Sequence, residues 1–138
     1  MTRCRPQLTP RRLSGGRGQG TALVLDDEDY VRTFAEDILE RFGFQVLSAD
    51  DGREGVATFR EHADKISLVL LDMAMPNMAG DEAYRLIRQI SRDVPIVLSS
   101  GFTRQDAAKS LRESKYTVFL QKPYRVKQLR ATLRQLLD

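Results

Sequence analysis

Ile66-Ser67-Leu68-Val69-Leu70-Leu71-Asp72 is apolar at almost every position and ends on an acid. A strand with one wet face alternates apolar and polar residues. A run without that alternation belongs to a strand covered on both faces, as in parallel α/β sheets. Pro76-Asn77-Met78-Ala79-Gly80 then forms a loop. Beyond it a helix runs to about Arg92, with Ala83, Leu86, Ile87 and Ile90 facing inward.

The same unit recurs on both sides of this stretch. Upstream, Thr21–Leu25 is an apolar strand ending in Asp26, Asp27 and Glu28. Val31, Phe34, Ala35, Ile38, Leu39 and Phe42 follow at helical spacing, and Gly43 stops that helix. Phe44–Ala49 reads as a strand, Asp50-Asp51-Gly52 as a turn, and Val56, Ala57 and Phe59 lie on a short helix ending near His62. Downstream, Pro95–Leu98 is a strand leading into Ser99-Ser100-Gly101. Arg104–Glu113 is a weaker helix, with Ala107, Ala108 and Leu111 among its few apolar positions. Tyr116–Leu120 is a fifth strand, followed by Lys122-Pro123 and a last helix carrying Val126, Leu129, Leu133 and Leu136. Five strand–helix units predict an α/β fold with a five-stranded parallel sheet, right-handed crossovers and helices on both faces.

Residues 1–20 differ in kind. They hold Arg3, Arg5, Arg11, Arg12 and Arg17, no acid, and Pro6, Pro10, Gly15, Gly16, Gly18 and Gly20. We read them as a flexible basic linker or leader, with the folded domain over 21–138. The formal charge of +3 therefore belongs to the leader, since 17 basic and 19 acidic side chains remain in 21–138. The leader has no aromatics and no helical periodicity, so direct nucleic-acid or membrane binding is not expected. Cys4 is the only cysteine, which excludes an intrachain disulfide and suits a reduced, cytoplasmic compartment. No apolar run is long enough for a signal peptide core or a membrane span.

In parallel α/β sheets, functional groups gather at the carboxyl ends of the strands. Here those ends offer Asp26, Asp27, Asp72, Ser100 and Lys122. Acids at strand ends are also ordinary turn residues, and one alone would mean little. Several carboxylates in one crevice repel each other and need a cation. Hard oxygen donors suit Mg²⁺ or Mn²⁺, with water and phosphate oxygens completing the shell. Lys122 adds a positive charge and Ser100 a hydroxyl donor on the same rim. With one carboxylate as nucleophile, this is a set able to hold a phosphoryl group.

The ordered motifs Leu23-Val24-Leu25-Asp26-Asp27-Glu28, Leu70-Leu71-Asp72-Met73-Ala74-Met75-Pro76-Asn77-Met78-Ala79-Gly80, Pro95-Ile96-Val97-Leu98-Ser99-Ser100-Gly101 and Phe119-Leu120-Gln121-Lys122-Pro123-Tyr124 resemble the receiver domain of bacterial two-component response regulators. The resemblance implies a flavodoxin-like three-layer fold of strand order 2-1-3-4-5. It implies that Asp72 is the phosphoacceptor. It further implies that Asp26, Asp27, Asp72 and the Ala74 backbone carbonyl hold Mg²⁺, and that Lys122 and Ser100 serve the phosphoryl group. Ser100 and Phe119 match the switch positions, and the bond before Pro123 is expected to be cis. The implied reaction is phosphoryl transfer from a phosphohistidine of a histidine kinase or histidine phosphotransfer domain, followed by hydrolysis. Such a domain catalyses its own phosphorylation and dephosphorylation. The signal is expected to leave through the face formed by the helix over 104–113, the fifth strand and the last helix.

Three settings remain open: a stand-alone regulator, the terminal receiver of a hybrid sensor histidine kinase in the cytoplasmic part of a membrane-bound sensor, and the receiver half of a transcription factor. The Gly-rich leader and Leu98-Ser99-Ser100-Gly101-Phe102 resemble hybrid-kinase receivers, and a homodimer is compatible with each setting. The competing class is a docking or dimerisation module that works without phosphorylation. A flavin binder fits poorly, because acids follow the first strand where a phosphate loop would be needed. His62, the sole histidine, lies away from the acidic crevice and reads as a surface residue. Met73, Met75 and Met78 read as loop packing, and Tyr124 as packing near the start of the last helix.

Overall fold

The computed structural model describes residues 20–75, 78, 80–101 and 116–137. The expected helix over 104–113, most of the 1–20 leader and the Pro76, Asn77 and Ala79 positions of the loop lie outside them. The described elements are β1 (Thr21–Leu25), α1 (Asp29–Arg41), β2 (Gln45–Ala49), α2 (Gly52–Glu61), β3 (Ile66–Asp72), α3 (Gly80–Ile90), β4 (Ile96–Ser100), β5 (Thr117–Gln121) and α4 (Val126–Leu137). The strands form one parallel sheet of order β2-β1-β3-β4-β5. The chain steps from β1 out to β2, then returns across β1 to β3, so the order reverses beside β1. In such sheets a crevice opens at that reversal, beyond the strand ends.

Strand periodicity divides the core in two. Leu23 and Leu25 of β1, Val69 and Leu71 of β3, and Ile96 and Leu98 of β4 pack with Val56 and Phe59 of α2 and Ala83 and Ile87 of α3. The alternate residues, Ala22, Val24, Leu68, Leu70 and Val97, pack with Ala35, Ile38 and Leu39 of α1 and Leu129 and Leu133 of α4. Both faces of the central strands are thus dry, which explains why their sequences do not alternate. The helices show single apolar stripes because each has only one covered face.

Local signals set the ends of the elements. Gly43 closes α1 with φ of 102°, a conformation that favours glycine. The Asp51 carboxylate accepts the Glu54 N–H at 2.8 Å and caps α2. β4 continues two residues past the expected end, through Ser99 and Ser100, because both still pair with β5. Arg88 on α3 ties that helix to the start of β5. Its guanidinium donates to Val94 O at 2.7 Å, Tyr116 O at 2.9 Å and Thr117 Oγ1 at 2.7 Å. It also donates to the Tyr84 hydroxyl at 3.2 Å. Among the described residues no helix is long and apolar enough to cross a membrane.

Candidate active site

β1 and β3 are neighbours, so their carboxyl ends deliver acids to one place. Asp26, just past β1, is only 3% exposed. Its backbone N–H donates to Ala49 O, and its Oδ1 accepts the Glu28 N–H at 2.9 Å. Asp72, the last residue of β3, is equally buried, and its Oδ1 accepts the Ala74 N–H at 3.1 Å. Asp27 is exposed at the mouth. Carboxylate oxygens of Asp26, Asp27 and Asp72 lie within 4.8 Å of one another.

Lys122 reaches this cluster from the far side of the sheet. Its backbone N–H donates to Ser100 O at 2.8 Å, holding the end of β5 to the end of β4, and the Lys122–Pro123 peptide bond is cis. Its Nζ lies 3.0 Å from Asp26 Oδ2, 3.2 Å from Asp72 Oδ2 and 3.0 Å from Glu28 Oε1. Burial raises the Asp72 pKa to about 6, and the negative charge of Asp26 adds to that. The Ala74 N–H and Lys122 oppose the rise. For Lys122, burial pulls downward, but the hydrogen bonds to Asp26 and Glu28 and the Asp72 charge outweigh it, so its pKa rises. Tyr124 is buried beside the cluster, with its ring 6.0 Å from that of Phe34. Burial and the nearby Asp26 charge push its hydroxyl pKa up, so it stays neutral.

A divalent metal fits this donor set. The cluster offers oxygen ligands alone, two of the three acids are buried, and one ammonium faces more than one negative charge. That is a deficit of positive charge in a hard-donor pocket, the setting that Mg²⁺ occupies.

Ser100 closes β4, is 5% exposed and stands opposite Gln121 in the register. Phe119 stands opposite Leu98 on β5 and packs, half-buried, against the core on the α2–α3 side. His62 caps the C-terminus of α2, with Nε2 3.9 Å from Glu61. Two features escaped the sequence reading. The Glu28 carboxylate pairs with Lys122, although 94 residues separate them. Asp50, Asp51 and Glu54 form a second acidic group at the start of α2, where Asp51 serves as the helix cap. The Asp-Asp-Glu run carried a signal for the first, but only the sheet order shows that Lys122 comes within reach.

The sequence model of the response regulator receiver domain matches residues 22–134. The chain belongs to this family. It is 31% identical over 121 residues to the sensor kinase CckA of Brucella abortus, which covers 88% of the chain but only 13% of that protein. It is also 31% identical over 103 residues to the chemotaxis protein CheY of Bacillus subtilis, covering 74% of the chain and 84% of that protein. The crystal structure of the chemotaxis protein CheY4 of Vibrio cholerae superposes with a TM-score of 0.78 at 26% identity, covering 86% of this chain and 99% of that one. This receiver domain therefore has the flavodoxin-like fold. Its Asp26–Asp27–Asp72 cluster, with the Lys122 ion pairs, is a receiver active site suited to Mg²⁺ and to signalling by aspartate phosphorylation.

Proposed function

We propose that Asp72 accepts a phosphoryl group from a phosphohistidine. The observation that carries this assignment is the contact of Lys122 Nζ with both Asp26 and Asp72, 3.0 and 3.2 Å away. Asp72 is the acid on the central strand β3, and its Ala74 hydrogen bond fixes Oδ1 and leaves Oδ2 towards Lys122.

Asp26, Asp27, Asp72 and the Ala74 carbonyl would hold the metal. Bound Mg²⁺ supplies positive charge for the phosphoryl oxygens and lowers the repulsion between donor and acidic pocket. A carboxylate oxygen of Asp72 attacks phosphorus as the P–N bond to the donor imidazole breaks. The leaving imidazole takes a proton, and the acyl phosphate remains on Asp72. Lys122 donates to one phosphoryl oxygen and the Ser100 hydroxyl to another, which stabilises charge as it spreads in transfer. Hydrolysis reverses the modification: water attacks phosphorus, the bond between the Asp72 oxygen and phosphorus breaks, and inorganic phosphate departs from the free carboxylate. Ser100 and Phe119 then convert occupancy into a population shift at the surface around β5 and α4.

The phosphodonor in this reading is a histidine kinase or histidine phosphotransfer domain. Similarity to part of a sensor kinase supports a place as the terminal receiver of a hybrid kinase, with residues 1–20 as the linker, 21–138 as the receiver and the work done in the cytoplasm. The test uses a histidine phosphotransfer domain carrying radiolabelled phosphate. Label should pass to the receiver, and borohydride reduction should convert Asp72 alone to homoserine. Labelling at another residue, or none while a control receiver is labelled, overturns the assignment.

A further inference from the structure

Glu28 occupies the N-cap position of α1, with extended φ and ψ of −90° and 112°, yet its side chain makes no capping hydrogen bond. Short side chains such as Asp, Asn, Ser and Thr cap best, because their oxygens reach the free N–H groups of the first turn. A glutamate here gives up that cap. Its carboxylate turns instead to Lys122 Nζ, 3.0 Å away.

The three acids around Lys122 are not equivalent. The side chains of Asp26 and Asp72 are 4% and 3% exposed, whereas that of Glu28 is 60% exposed. Glu28 is the outermost partner, at the mouth where a phosphodonor enters. The Lys122 ammonium is the one cation among the described residues that touches Asp72.

We propose that Glu28 is a positioning residue that engages Lys122 in the unphosphorylated domain and slows phosphoryl uptake by competing for its ammonium. The inference rests on the reading of Asp72 and Lys122 given above. An incoming phosphoryl group carries negative charge into the space beside Glu28, and it must take over a lysine hydrogen bond that Glu28 now holds. An exposed ion pair is weak, so the effect is a modest change in rate, about two- to fivefold, and not an on–off gate.

The test compares Glu28→Gln, Glu28→Asp and Asp29→Asn. Glu28→Asp keeps the charge but is one methylene too short for the contact, and it can cap α1. Asp29→Asn removes a neighbouring charge that pairs with Arg32. Phosphate uptake from acetyl phosphate with Mg²⁺ should rise about two- to fivefold in both Glu28 variants and stay unchanged in Asp29→Asn. In the metal-free protein, acetylation of Lys122 by acetic anhydride, read by peptide mass, should be faster in both Glu28 variants. Acceleration in Glu28→Gln but not in Glu28→Asp would assign the effect to general charge and overturn the proposal, as would no change in either. The acetylation arm needs neither metal nor phosphodonor. A wild type that takes up no phosphate thus counts against the Asp72 assignment, while the acetylation rates still decide the role of Glu28.

Discussion

At the scale of single residues, the site stores electrostatic tension. The Asp72 pKa lies near 6 in the folded domain and near its ordinary value when unfolded, so the folded state holds the proton more tightly. A raised acid pKa costs stability above about pH 6, and the cost fades as pH falls from 6 towards 4. Asp72→Asn should therefore stabilise the metal-free domain at pH 7 by about 1–3 kcal/mol. That gain should close by about pH 4 in urea unfolding curves. A gain that persists unchanged at pH 4 would point to packing instead. Lys122→Ala should act in the opposite direction, since it leaves Asp26 and Asp72 buried without their cation. The expected loss is about 3 kcal/mol in metal-free protein, partly recovered on adding Mg²⁺, as read by thermal unfolding. Asp26, Asp72 and Lys122 were legible in the sequence because each sits at a strand end, where fold rules place chemistry. Glu28 was not, because its partner lies just past the end of β5, three places from β1 in the sheet order.

At the scale of elements, close backbone approach and one buried guanidinium hold the site in place. A Cβ on Gly80 would lie 2.3 Å from Met73 Cα and 2.8 Å from Asp72 O, both backbone atoms that follow the acidic strand end. Gly80→Ala should cost about 1–3 kcal/mol and also lower phosphate uptake, because the backbone that must move carries Asp72. Normal uptake in a folded Gly80→Ala protein would contradict that coupling. Arg88→Ala removes the hydrogen bonds of one side chain to Tyr84, Ser91, Val94, Tyr116 and Thr117 and leaves the Val94 and Tyr116 carbonyls without it. A loss of about 2–4 kcal/mol is expected in urea unfolding. The strands β1, β3 and β4 were legible from their apolar runs, and the helices from their stripes. The Arg88 clamp was not, because an arginine on a helix with one apolar stripe reads as solvent-facing until the start of β5 is brought against it. The extension of β4 through Ser99 and Ser100 was missed for a related reason: polar residues in a strand end look like a turn unless they pair with the neighbouring strand.

At the scale of the whole molecule, the sheet order does the assembling. β1 and β3 lie side by side at the reversal, β4 follows, and β5 brings Lys122 back over the crevice. The order was legible once the motifs were compared with a family; the apolar pattern alone gave a parallel sheet and left its order open. Metal should stabilise the fold by mass action, adding about 1.4 kcal/mol at ten times its Kd, and EDTA should remove the gain. The most direct measurement is intact mass after incubation with acetyl phosphate and Mg²⁺, beside Asp72→Asn and an EDTA control. One phosphate adduct in the wild type alone, lost with EDTA, is the predicted result. An adduct that survives Asp72→Asn or EDTA, or none at all under conditions that phosphorylate a control receiver, would contradict metal-dependent phosphorylation of Asp72.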